Sequence, residues 1–189
     1  MSKERLTAFT DAILAIIMTI LVLELELPEA PTFQAVWAMR TGYITYAVSF
    51  FWLGAMWVNI HNRWHSVEVI DNKVVWWSII MLFFASFIPY VTAFVGAHFE
   101  SRFAQVLYSV VVVLVSLSNM ALGAAVDKLN PVEGGFSFTF NKYVITDLFI
   151  KGLGILMAIL VYPPCAIIGI MLAGFVVTFW PVLEAKNQK

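Results

Sequence analysis

Four ionisable residues punctuate the first apolar stretch of the chain, RLTAFTDAILAIIMTILVLELEL over residues 5–27: Arg5, Asp11, Glu24 and Glu26. A charge at the depth of a bilayer is costly, so such a residue marks an ion path, a proton relay or a polar brace between helices. Arg5 and the glutamates stand near the ends, where long side chains reach water. Asp11 is too short for that. On a helix turning about 100° per residue, Arg5, Phe9, Ala12, Ile16, Thr19, Ile20, Leu23 and Leu27 share one stripe, with Asp11 roughly opposite and Thr10 to the side. One face therefore offers branched apolar side chains with a single hydroxyl, and another offers a carboxylate. A second polar cluster, Trp57, Asn59, His61, Asn62, Arg63, Trp64 and His65, holds candidate partners for that carboxylate. His61 and His65 have a spacing compatible with a metal if helical, yet no third ligand stands nearby. The expectation is no metal, and a hydrogen-bonded network tying the first helix to its neighbours.

The elements that must position these residues follow from composition. Of 189 residues 61% are hydrophobic and only 12% charged, against about a quarter charged in an ordinary soluble domain. One core of this length cannot enclose that much apolar surface, so the chain is expected in lipid. A span needs roughly 20 mostly apolar residues, and six segments supply it: 5–27, 41–61, 74–98, 104–127, 144–162 and 164–181. Pro28 and Pro31, the polar run 59–73, residues 97–102, the Gly-containing stretch 127–142 and Pro163-Pro164 separate them. Pro89 is placed to kink the third. Positive charge favours the cytoplasm. Lys3, Arg5, Arg63, Lys73, Lys128, Lys142, Lys151, Lys186 and Lys189 fall on one side, and only Arg40 and Arg102 on the other. Nine against two, with an even number of crossings, sets both termini in the cytoplasm. Trp76, Trp77, Tyr43, Tyr46, Tyr143, Tyr162 and Trp180 lie near segment ends, as interface anchors do. The expected fold is an all-α membrane protein, one six-helix domain over residues 1–189.

Several function classes are disfavoured. A net charge of −1 without a basic block gives nucleic acid no footprint. No nucleotide loop, His-Glu-x-x-His or serine elbow is present, so no enzyme and no cofactor are expected. Cys165 is the sole cysteine and lies in an apolar run, which excludes an intramolecular disulfide. Three readings remain: a cation path along the first helix, a proton-coupled transporter using Asp11 with His61 and His65, and a non-conducting scaffold. Transporters usually carry repeats and broken midplane helices, and no repeat is evident.

The run Arg5-x-x-x-Phe9-Thr10-Asp11, followed by an Ile/Leu-rich helix, resembles the Arg-x-x-x-Phe-Ser-Asp signature of the transmembrane protein 175 family, endo-lysosomal potassium channels and their shorter bacterial relatives. Thr10 replaces the usual serine and keeps its hydroxyl. Length and six-segment layout agree with the family. The resemblance implies a potassium-selective leak-type channel in a bacterial plasma membrane, a homotetramer whose first helices surround a central pore. It also implies a hydrophobic constriction on that helix in place of a filter loop, and no Thr-Val-Gly-Tyr-Gly-like segment occurs here. Mapped onto this chain, the constriction falls on Ile16, Thr19 or Ile20, and Leu23. These belong to the helical stripe already grouped. Rings of Ile16 and Leu23 would close by dewetting, Thr19 would replace part of an ion's hydration, and Glu24 and Glu26 would concentrate cations at the outer mouth.

Overall fold

The computed structural model describes residues 2–65, 67–131 and 142–187, with residues 142–143 and 177–187 described by backbone alone. The side chains of Lys142, Tyr143, Trp180 and Lys186, and Lys189 entirely, lie outside that description, as does most of the 127–142 stretch. Every described element is helical: α1 (Lys3–Leu23), α2 (Phe33–Ala38), α3 (Arg40–Trp64), α4 (Asn72–Ala85), α5 (Ile88–Ala97), α6 (Arg102–Leu129), α7 (Lys142–Leu160) and α8 (Cys165–Asn187). All six apolar segments fall on helix. Among the described residues four stretches, Lys3–Leu23, Arg40–Trp64, Asn72–Ala97 and Arg102–Leu129, are long and apolar enough to cross a membrane, the helix being the form in which lipid leaves no backbone group unpaired.

The boundaries have local causes. Ser2, Asp71 and Ser101 cap α1, α4 and α6, each side-chain oxygen accepting a backbone N–H of the first turn. The third segment is broken as Pro89 foretold: α4 ends at Ala85 and α5 restarts at Ile88 with the proline in its first turn, where a missing N–H costs nothing. The first helix stops earlier than the 5–27 segment. It ends at Leu23 with Glu24 as its C-cap, where the uninterrupted apolar run gives way to Glu24 and Glu26 ahead of Pro28. Leu27 therefore leaves the stripe that helical spacing had given it.

Packing joins α4 to α6, α3 to α5 and α7 to α8, around a core that includes Leu14, Leu53, Ile60, Met81 and Val112. Small residues permit close approach. A Cβ on Gly96 would stand 3.1 Å from the Gly42 Cα, and one on Gly169 would stand 3.0 Å from the Gly154 Cα. Three buried hydroxyls tie α3, α5 and α6: Ser49 Oγ is 2.7 Å from Thr92 Oγ1 and 2.9 Å from the Tyr108 hydroxyl.

Two ends of the bundle are defined by polar contacts. At one, Lys3 Nζ donates to the Val67 carbonyl at 2.6 Å, and Asn130 Oδ1 accepts the N–H groups of Glu68 and Val69 at 2.8 and 2.9 Å. The start of α1, the α3–α4 connection and the end of α6 thus share a level, with Lys3, Arg5, Arg63, Lys73 and Lys128 at or near it. The other end gathers the close of α1 with the starts of α3 and α6. Lys151 departs from its expected place. It is not a loop-flanking charge but a side chain only 2% exposed within α7, so it drops out of the charge bias. Among the described side chains, five of the nine cations, Lys3, Arg5, Arg63, Lys73 and Lys128, remain on that side against Arg40 and Arg102 on the other.

Candidate functional site

Helix α1 has two unlike faces. Leu6, Thr10, Leu14, Ile17 and Leu21 are buried against the rest of the chain. Phe9, Ala12, Ile16, Thr19 and Leu23 are exposed, with Ile16 at 57% and Leu23 at 78% of full accessibility, and Ile20 is partly covered. Helical spacing had drawn the same stripe, and among the described residues the fold leaves most of it uncovered. Adjacent residues make the contrast plain, since Ile17 is only 3% exposed beside Ile16.

Polarity on the stripe is confined to one hydroxyl and the charged ends. Thr19 Oγ1 donates to the Ile16 carbonyl at 2.8 Å, a bond that satisfies its proton within the helix. The hydroxyl itself lies on the exposed side of the helix. Glu24 and Glu26 are exposed beyond the helix end, beside a cavity of about 220 Å³ also lined by Met39, Gly42, Thr45 and Gly96. Arg5 is exposed at the opposite end.

The brace lies on the flank of α1 toward α3. Trp57 Nε1 donates to Asp11 Oδ1 at 2.8 Å. The Trp57 ring stacks on His61 with centroids 5.3 Å apart, and His61 meets His65 edge-on with their Nε2 atoms 3.3 Å apart. A carboxylate on one helix is thus continued by three aromatic rings spaced a turn apart on the next. Trp64 is buried in the core rather than joined to this row. Thr10 and Asp11 exchange the places that spacing suggested: Thr10 faces the core at 2% exposure, while Asp11 is half-buried on the flank. Among the described residues no cluster of three or more His, Cys, Asp or Glu has the arrangement to hold a metal ion.

Sequence reasoning missed a second polar site. Lys151 Nζ contacts Asp147 Oδ2 at 2.6 Å and Ser116 Oγ at 2.8 Å, and lies 5.4 Å from the Trp52 ring centroid. The ammonium of α7 therefore clamps α6 and α3. Asp147 and Lys151 are four apart within an apolar segment, and that spacing on a helix was the signal available.

Comparison with known proteins bears on both halves. Residues 5–89 match the family model described as endosomal/lysosomal potassium channel TMEM175. A protein described as a potassium channel in a Chryseobacterium species is 36% identical over 105 residues, covering 56% of this chain and 53% of that one. Another so described, from Streptomyces collinus, is 31% identical over 126 residues, covering 62% and 61%. The chain thus spans between 53% and 61% of the length of these curated relatives. In fold, the chain is similar to the crystal structure of a lysosomal potassium-selective channel TMEM175 homolog from Chamaesiphon minutus, with a TM-score of 0.72 and 20% identity over 98% of this chain and 97% of that one. The Arg5-Phe9-Thr10-Asp11 motif lies inside the matched residues, so over its N-terminal part this membrane protein is similar to the TMEM175 family, and along nearly its whole length it shares the fold of the Chamaesiphon minutus structure.

Proposed function

We propose that the protein is a potassium-permeable leak channel with six membrane crossings and cytoplasmic termini. Four copies surround a central pore, each contributing α1. The observation that supports this reading best is the exposed stripe: a subunit that buries Leu14, Ile17 and Leu21 leaves Ile16, Thr19 and Leu23 facing outward. Rings of Ile16 and Leu23 form a narrow apolar throat from which water withdraws when it is closed. Thr19 hydroxyls between those rings offer acceptor oxygens, their protons being held by the Ile16 carbonyls. Potassium gives up hydration more readily than sodium, so this exchange favours potassium. Glu24 and Glu26 raise the cation concentration at the mouth. The Asp11–Trp57 bond and the His61–His65 pair fix the rotation of α1 relative to α3, and hence which residues meet the pore.

Six crossings accord with six helical segments, and the cytoplasmic placement of the termini with the excess of cations at the α1 start and the α3–α4 connection. The names of the relatives in Chryseobacterium and Streptomyces collinus support potassium as the permeant ion.

The test is ion flux into liposomes holding purified protein, with potassium then replaced by sodium. Wild type is expected to carry potassium faster, and Leu23→Ala, which widens the throat, to raise the flux of both ions and narrow the ratio. Equal flux in wild type and Leu23→Ala would overturn the throat. Saturable uptake that requires a proton gradient, without unitary currents, would instead establish a carrier built on Asp11 and His61/His65.

A further inference from the structure

Helix α2 is six residues long, well short of the length at which an isolated helix holds in water. None of its residues is buried. Its sequence FQAVWA sets Phe33, Val36 and Trp37 on one face at helical spacing, with Phe33 81% and Trp37 61% exposed. The two rings stack at 6.2 Å. Thr32 caps the start, accepting the Ala35 N–H at 3.2 Å, and Arg40 Nη1 reaches the Trp37 carbonyl at 3.4 Å. At its end Ala38 and the C-cap Met39 help to line the cavity beside Glu24.

Position identifies what covers the aromatic face. Helix α2 follows the end of α1 and leads into α3, and both neighbours are membrane-spanning by length and composition. The connection between two spans lies at the boundary of the hydrocarbon, where Trp and Phe partition favourably and a flanking arginine reaches headgroup phosphates. Phe103, at the start of α6 on the same end of the bundle, is likewise exposed. We propose that α2 is an interfacial anchor, lying in the bilayer surface with Phe33, Val36 and Trp37 among the headgroups and upper acyl chains. The interface supplies the burial that the protein does not, and so keeps this short helix folded. Residues 24–32, which carry Pro28 and Pro31, link the anchor to the end of α1, and through Ala38 its depth sets one wall of the acidic cavity.

The experiment is fluorescence quenching of the full chain in phosphatidylcholine vesicles brominated either just below the headgroup or near the chain ends. Trp37 emission is isolated by subtracting the Trp37→Phe spectrum from wild type, which removes the other six tryptophans. Expected is blue-shifted Trp37 emission reduced about twofold or more by shallow bromine and less by deep bromine, as for a ring at headgroup level. A second variant moves the tryptophan off that face: Gln34→Trp in the Trp37→Phe background should emit to the red and be quenched less. Red-shifted, unquenched Trp37 would show a water-exposed loop. Blue-shifted but unquenched Trp37 would show cover by another copy of the chain. Either result overturns the anchor.

Discussion

The α1–α3 side of the molecule and the α7–α8 hairpin use polar residues in opposite ways. Along α1 the carboxylate of Asp11 and the rings of Trp57, His61 and His65 are partly or fully accessible, and Asp11 stands beside a face that the described residues leave uncovered. In the hairpin, Lys151 is sealed among Asp147, Ser116 and Trp52, and Gly154 meets Gly169 backbone to backbone. Accessible polarity beside an unfilled face is arranged for exchange with something outside. Enclosed, fully paired polarity holds helices together. A membrane protein therefore cannot be read by counting intramembrane charges; their enclosure decides what they do.

The contrast predicts a gradient of effects. Lys151→Met leaves the Asp147 carboxylate enclosed without its cation and should cost about 3–5 kcal/mol, read as a large fall in Tm of the solubilised protein. The double variant Lys151→Met with Asp147→Leu should recover most of it, and a double variant as unstable as the single one would give the pair a role beyond mutual neutralisation. Next, Gly169→Leu forces α7 from α8, with an expected loss of about 1–3 kcal/mol from overpacking. Ser49→Ala, which frees the Thr92 and Tyr108 hydroxyls, should cost about 1 kcal/mol, since hydrogen bonds between membrane helices are modest. Trp57→Phe keeps the ring and removes only the bond to Asp11. Its stability loss should be about 0.5 kcal/mol, while potassium flux changes by a larger factor because the rotation of α1 is no longer fixed. An unaltered flux would reduce that bond to ordinary packing.

Much of this could be read from sequence because lipid enforces simple rules. Segment length and hydropathy located the long helices but not the six-residue α2, Pro89 the break between α4 and α5, and helical spacing the stripe. Asp11 pointed to the cluster that contains Trp57 because a carboxylate at that depth needs a donor. The remainder depends on contacts between distant segments. Lys151 lies 35 positions from Ser116, and nothing local distinguishes a lysine that flanks a loop from one enclosed by three helices. Thr10 and Asp11 are neighbours whose angular positions differ by one residue, so a small rotation of α1 decided which met the core. The first segment, drawn to Leu27, overran the helix, which ends at Leu23 where the uninterrupted apolar run also ends and Glu24 and Glu26 begin.

The central claim, that the exposed stripe of α1 faces an ion path, is tested most directly at two adjacent residues. Asparagine at the exposed position, Ile16→Asn, should leave Tm nearly unchanged, within about 0.5 kcal/mol as surface substitutions are, whereas Ile17→Asn in the core should destabilise strongly. The deciding measurement is the single-channel potassium current of Ile16→Asn in planar bilayers. A polar throat that stays wetted should give higher open probability or conductance than wild type. Wild-type currents from a folded Ile16→Asn protein would contradict the account, because that face would then meet lipid and the ion path would run elsewhere.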